Sequence, residues 1–378
     1  MKQEGKIRIA HLGANGANLG DNAATINVRL QLVKHMKPLT VEWVPINILD
    51  FHFWENDIYV SKLLFSKVLK DCDVLLIGGG GILEGGLYNN FCSGWKLPFT
   101  EDILDTIEMP IYVVAAGVNY FREMAGFTET GKRNLSSLVQ RSEIFTVRND
   151  GSIDDIRELV PSDIAKKIYE IPDPGLIYDF ECDVTAYAQD KFSVFQPAVN
   201  GDLRTMEARY LTDKDMEDVV RFPKEMGLKI FPHTLKDFLF EEWSECKSLF
   251  TKQQFEELVN VMNYDQYIAY YSHVKSSIAS RGHGQMIALA LNIPSLYFST
   301  QDKVLNFSKR HHLMDYTVDI KEEEWYDKLT NMYERLNNDP EYLAEWHNKR
   351  DKLIHSCRNQ FNDFCIKLAT SLKTLIGE

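Results

Sequence analysis

The stretch SIASRGHGQMIALALNIPSLY, Ser277 to Tyr297, combines an Arg-Gly-His turn, a short apolar helix and an Ile-Pro-led strand. Such alternation of strand and helix belongs to a doubly wound parallel sheet with helices on both faces. The turn Arg281-Gly282-His283-Gly284 is expected to open a helix from Gln285 to Leu291. The unpaired N–H groups and dipole of that helix favour phosphate or carboxylate. Arg281 adds a planar fork that can grip either group bidentately. His283, in the same short turn, is the foremost candidate for moving a proton, with a structural cap as its bland alternative.

Working outward, apolar runs bounded by Gly, Asp and Pro recur along the whole chain. Strands are predicted at Ile7 to Leu12, Asp73 to Ile77, Ile111 to Ala116, Ile144 to Val147 and Tyr169 to Ile171, with a helix from Ala23 to Met36 after the first. An acidic, irregular stretch, Tyr178 to Lys191, separates this half from a second series. That series has strands at Phe192 to Gln196, Leu228 to Pro232 and Ser295 to Phe298, and a helix from Lys214 to Met226. The division therefore falls between an amino-terminal domain, residues 1–185, and a carboxyl-terminal domain, residues 186–378. From Glu322 onward the pattern is wholly helical, interrupted at Pro340.

The bulk composition narrows the functional classes. With 378 residues, 44% of them apolar, the chain can bury two ordinary cores. A net charge of −13 argues against general binding to nucleic acid or anionic membrane, both of which need a basic field. An anionic small ligand must then be held by local cations and backbone groups. The six cysteines contain no Cys-x-x-Cys pair, which points to reduced thiols and not to a zinc ribbon or disulfide framework. No apolar run approaches the ~20 residues of a spanning helix. The expectation is a cytoplasmic protein that at most touches a membrane peripherally.

Several segments fall at strand carboxyl ends, where open parallel sheets place their ligands. Asn18 to Asn22, NLGDN, follows the first strand; Asp21 there could orient a sugar hydroxyl or accept its proton, although Asp21 or Asn22 could equally cap the helix. Gly78 to Gly81 follow the second strand and allow close backbone approach, but Glu84, Gly85 and Gly86 interrupt the helix that a dinucleotide fingerprint requires. Arg148 ends a further strand, either paired with Asp150 or Asp154 or serving as an anion clamp. His233, in FPHTLKD, ends a strand of the second half and suits acid–base work, and Lys303 lies just beyond the last strand. Gly126 to Arg133, GFTETGKR, lacks the Ser or Thr that a phosphate loop needs for magnesium and reads as a surface loop. His311 and His312 read as part of a solvated basic face.

Taken in order, these segments resemble the polysaccharide pyruvyltransferases: NLGD at 18 to 21, DVLLIGGGGIL at 73 to 83, AAGV at 115 to 118, VRND with Ser152, PDPGL at 172 to 176, FPHTLKD, the RGHG tract through ALNIP, and DKV at 302 to 304. The resemblance covers roughly residues 7 to 315. It implies two Rossmann-like domains in a B-type glycosyltransferase-like arrangement, with the site in the cleft between them. It further implies transfer of a pyruvyl group from phosphoenolpyruvate to two hydroxyls of one sugar, forming a cyclic ketal and releasing phosphate. Arg281 and His283 match the family's Arg-x-His element and Arg148 its upstream arginine. Gly282 departs from it, since a bulkier apolar residue is common there.

These expectations define a candidate site. Arg281, Arg148, Lys303, Gly282 and Gly284 would hold the donor; Asn18, Asp21, Gly80 and Gly81 would hold a carbohydrate acceptor, free or lipid-linked. His283, His233 and Asp21 would handle protons, with no order assigned between the two histidines. No metal and no obligatory cofactor are expected. Two other readings stay open on the sequence: a glycosyltransferase using a nucleotide-sugar, and a non-catalytic protein that binds glycans or anions on the same fold.

Overall fold

The computed structural model describes residues 5–14, 16, 18–52, 58–119, 122, 125–177, 190–198, 211–238, 246–261 and 269–377. The predicted boundary between residues 185 and 186 lies outside the described residues.

Two parallel sheets form the framework. The first comprises β1 (Lys6–Gly13), β2 (Thr40–Asn47), β3 (Val74–Gly78), β4 (Ile111–Ala116), β5 (Ser142–Arg148) and β6 (Ile168–Ile171), in the order β2-β1-β3-β4-β5-β6. The second comprises β7 (Phe192–Gln196), β8 (Lys229–Ile230), β9 (Val274–Ala279), β10 (Ser295–Ser299) and β11 (Thr317–Asp319), in the order β11-β10-β9-β7-β8. Every residue of β3 and β4 is buried, because helices cover both faces, and this explains why these strands read as continuous apolar runs.

Three strands escaped the sequence pattern. β2 carries Pro45 and is tolerated because it is an edge strand. β11 is an edge strand of three residues, and β9 contains Lys275, Ser276 and Ser277, which dilute its apolar signal. GFTETGKR is not a surface loop throughout: Thr128 caps a helix, Glu129–Arg141, by accepting from the Gly131 N–H.

Strand order reverses between β1 and β3 in the first sheet and between β7 and β9 in the second. These reversals open crevices at the carboxyl ends of the strands. The segments that leave those ends meet. Leu19 N–H donates to the His233 carbonyl at 3.1 Å, and Asn18 pairs with Thr234 in an antiparallel bridge. Arg122, beyond β4, reaches the second domain with a fork on Asp319, both bonds 2.8 Å, and Nε on Asp302 at 2.7 Å.

The helical tail ties the halves together. Asp339 caps the 36-residue helix Pro340–Leu375, which begins with Pro340 in its first turn. Near its start Trp346 donates to the Ser295 carbonyl at 3.1 Å, and Arg350 donates to the carbonyls of Leu289 and Ala290. Near its end Tyr112 of β4 meets Ser371 at 2.8 Å, and Lys373 donates to the Lys37 carbonyl. One helix, roughly 54 Å long at 1.5 Å per residue, thus spans both domains. No helix among the described residues is long and apolar enough to cross a membrane.

Candidate active site

The tract Ser277 to Tyr297 folds as β9, a helix and β10. The helix runs Gly282–Ala290, so the Arg-Gly-His turn is its first turn and Arg281 its N-cap residue. It begins three residues before the predicted Gln285 because both glycines are helical. Gly284 is required by packing, since a Cβ there would lie 2.4 Å from Gln196 Oε1. At Gly282 a Cβ would sit 3.8 Å from Lys303 Cε, an ordinary contact, so one methyl fits and a longer side chain must compete with the Lys303 stem.

The first turn faces a cleft of about 200 Å³ between the domains. Lys96, Arg148, Arg281 and Lys303 line it, opposed by Asp21, Glu84 and Asp150. Lys96, Arg148 and Arg281 are each paired with a carboxylate, so the wall is a set of ion pairs with Lys303 beside them.

His283 is the hub. Its Nδ1 lies 3.5 Å from Asp21 Oδ1, and its Nε2 lies 3.5 Å from Asp173 Oδ2 and 3.4 Å from Arg148 Nη1. A protonated ring can donate from Nε2 to Asp173, and a ring bare at Nε2 can accept from Arg148. Both protonation states therefore have a partner waiting, at distances a ligand can tighten. Gly20 makes this possible by close packing, because a Cβ there would fall 2.2 Å from the His283 Cβ.

Arg148 is buried, with Nη2 2.7 Å from Asp150 Oδ2 and Nη1 3.2 Å from Asp173 Oδ2. Asp154, the other partner considered, instead pairs with Arg310. Burial acts to raise the Asp173 carboxyl, but His283 and Arg148 overcome it and hold the group down to about 2. The ion contacts are not well-aligned hydrogen bonds: Arg148 Nε, Asp150 Oδ2 and Asp173 Oδ2 are buried without a hydrogen-bond partner in the protein. Both carboxylate oxygens are nonetheless ion-paired to Arg148, which leaves Arg148 Nε as the one of the three atoms with neither kind of partner.

Arg281 is less available than its sequence position suggested. Its Nε donates to the Pro197 carbonyl at 2.6 Å and its Nη2 to Asp237 Oδ1 at 2.8 Å. Those bonds join the segments beyond β7, β8 and β9 and fix the helix start, so a bidentate grip on a ligand is corrected to an anchored arginine at the cleft wall.

His233 is fully buried. Its Nε2–H donates to Gln196 Oε1 at 2.5 Å, leaving Nδ1 without a partner. Burial first, then the charges of Arg281 and His283, push its pKa well below the ordinary histidine value. The ring is therefore held neutral; it bonds Gln196, which packs beneath Gly284, and it lines the cleft.

Asn18 caps the Leu19–Met36 helix by accepting from the Gly20 N–H at 2.8 Å. Neither Asp21 nor Asn22 is the cap; Asn22 accepts from Gly16, and Asp21 is left to face His283. Gly81 lines the cleft, and Gly80 packs on Asp21, where a Cβ would approach Oδ1 to 2.7 Å. His311 is not on a solvated face, since its Nε2 meets the Asn149 carbonyl at 3.0 Å and burial lowers its pKa.

Sequence reasoning missed Lys96, Glu84, Tyr88 and Asn119 as lining residues. Glu84 was visible only as a breaker of a fingerprint, and Lys96 lies in a loop without a motif. Asp173 and Asp237 stood inside quoted motifs, yet only the fold shows that each anchors an arginine.

With this geometry in place, comparison with known families is decisive. Residues 18–302 match the family described as polysaccharide pyruvyl transferase. The chain belongs to that family. Comparison with curated protein sequences finds no match. Among solved structures, a UDP-N-acetylglucosamine 2-epimerase is similar at a TM-score of 0.50 and 11% identity, covering 92% of this chain and 91% of that one. The UDP-GlcNAc 2-epimerase from Neisseria meningitidis bound to UDP-GlcNAc has a TM-score of 0.48 and 11% identity, over 93% and 99% of the two chains. Identity this low speaks to fold alone, and the fold of this transferase is the B-type glycosyltransferase-like pair of parallel-sheet domains with carboxyl-terminal helices.

Proposed function

We propose that this transferase moves a pyruvyl group from phosphoenolpyruvate onto two hydroxyls of one sugar in a surface polysaccharide or its precursor. The observation that supports the reading is the placement of His283, with a partner for each protonation state, on the first turn of a helix that opens into a cleft lined by Lys96, Arg148, Arg281 and Lys303.

The donor carries a phosphate and a carboxylate. The N–H groups at the start of Gly282–Ala290, Lys303 and the anchored Arg281 would hold these anions, with Arg148 behind His283. One sugar hydroxyl adds to the enol carbon, His283 delivers a proton to the methylene carbon, and the second hydroxyl closes the ring as the carbon–oxygen bond to phosphate breaks. The two hydroxyl protons balance the step: one ends in the new methyl group and the other leaves with hydrogen phosphate. Asp21, beside Nδ1, orients the imidazole and can pass on the acceptor proton. These steps use only protein side chains and the two substrates, in the cytoplasm where phosphoenolpyruvate is made.

The test incubates the protein with phosphoenolpyruvate and a panel of free and lipid-linked sugars, reading phosphate release and acceptor mass. Phosphate release that requires an acceptor and yields a pyruvylated sugar is the expected result. Consumption of a nucleotide-sugar instead, or binding of phosphoenolpyruvate without turnover on any acceptor, would overturn the reading in favour of a glycosyltransferase or a non-catalytic binder.

A further inference from the structure

Opposite His283, the amino-terminal wall of the cleft carries polar groups that the proton and anion chemistry leaves unused. Glu84 is only 3% exposed. Its Oε2 takes Lys96 Nζ at 3.0 Å and Asn119 Nδ2 at 3.3 Å. Lys96 Nζ also approaches the Gly81 carbonyl at 3.4 Å and sits 5.5 Å from the centre of the Tyr88 ring. Burial works against the Lys96 charge, but Glu84 and Tyr88 prevail and raise its pKa, so the ammonium persists. Asn119 Oδ1 is buried without a hydrogen-bond partner in the protein. All four side chains line the same cleft as His283.

A carboxylate, an ammonium and a side-chain amide held within one hydrogen-bonded group offer acceptors and donors together, the combination a sugar hydroxyl needs because it gives one hydrogen bond and takes others. An aromatic ring beside such a group supplies apolar surface for the C–H face of a pyranose, and pockets for small polar molecules are built in this way. Since Glu84 already neutralises Lys96, a second negative charge would meet no uncompensated cation there. We infer that Glu84, Lys96, Asn119 and Tyr88 form the acceptor subsite, and that it selects an uncharged pyranose over a uronic acid or a phosphorylated sugar. The inference rests on the cleft being the site of pyruvyl transfer, and it deepens that reading by naming the acceptor class.

Ligand-observed NMR with the methyl glycosides of glucose, galactose, mannose and N-acetylglucosamine, and with glucuronic acid, tests it without turnover. At least one neutral glycoside is expected to bind the wild-type protein, to bind Glu84→Gln and Tyr88→Leu at least tenfold more weakly, and to outcompete glucuronic acid. Tyr88→Leu removes a contact of Lys96 but keeps both charged members of the Glu84–Lys96 pair, so it stays informative if Glu84→Gln does not fold. Thermal shift by phosphoenolpyruvate should be unchanged in Tyr88→Leu. Equal glycoside binding in wild type and Tyr88→Leu, preference for glucuronic acid, or no glycoside binding at all would overturn the subsite. Loss of glycoside binding in the variants, combined with no phosphoenolpyruvate binding in the wild type, would instead keep the subsite and overturn the pyruvyl reading.

Discussion

Arg148 and Arg281 stand on opposite walls of the cleft, both nearly buried and both held by aspartates, yet their surroundings differ. Arg148 faces two carboxylates, Asp150 and Asp173, in imperfect alignment and touches His283. Arg281 faces one, Asp237, whose other oxygen accepts the His233 and Thr234 N–H groups at 2.8 and 2.9 Å. Both oxygens of Asp237 are thus satisfied, whereas Arg148 Nε beside His283 keeps a donor without a hydrogen-bond partner in the protein. A buried ion pair that is fully bonded builds a wall; one that is under-bonded sits where chemistry can use it.

The stability of the two arginine variants tests this difference most strongly. Arg148→Met strands two buried carboxylates and should cost about 3–5 kcal/mol. Arg281→Met strands one that two backbone N–H groups still serve, and should cost about 2 kcal/mol. Chemical denaturation of both would break the comparison if the order were reversed. Gly20→Ala comes next: its methyl must push His283 away, and a displacement of about 1 Å is enough for roughly a 100-fold loss of turnover with the fold retained. Steady-state kinetics beside a melting curve check this, and unchanged turnover would show that His283 need not be held in place.

The smallest effect is a pH slope. His11 is fully buried under the Gly78 turn, accepts from Arg29 at Nδ1 and donates to the Gly78 carbonyl. Burial first, then the Arg29 charge, lower its pKa from 6.5 to about 3. A histidine held neutral by the fold leaves stability intact above pH 6.5. Below it the unfolded chain binds a proton that the native state refuses, and stability falls. At pH 5 the loss is about 2 kcal/mol, from 1.36 kcal/mol per pH unit. His233, lowered in the same sense on the opposite wall, adds to the slope. His11→Gln should flatten part of the decline measured by denaturation between pH 7 and 5; an unchanged slope would mean that the ring accepts a proton in the native state.

Much of the fold was legible because parallel strands buried on both faces leave continuous apolar runs, as in VLLIG and IYVVAA. The edge strands β6 and β8 were legible too, but the edge strands β2 and β11 were not: β2 tolerates Pro45 and half-exposed residues where no second neighbour packs, and β11 is only three residues long. The place of His283, Arg148 and Lys303 in the cleft was legible because they follow strands or open a helix, and position in the sheet predicts position in the crevice. Lys96 and Glu84 were hidden, because a loop becomes part of a site only through tertiary contact. For His233 the sequence was silent on one point: strand-end position places a side chain at the cleft but does not say that burial will hold the ring neutral.

The central claim is that His283 protonates the methylene carbon of phosphoenolpyruvate as a sugar adds. Single-turnover reaction in deuterated water, comparing wild type with His283→Asn, tests it most directly. The account predicts one deuterium in the new methyl group with wild type. It further predicts a loss of roughly 10²- to 10⁴-fold in rate for His283→Asn, with phosphoenolpyruvate binding retained. A variant that forms the ketal at the wild-type rate would contradict it.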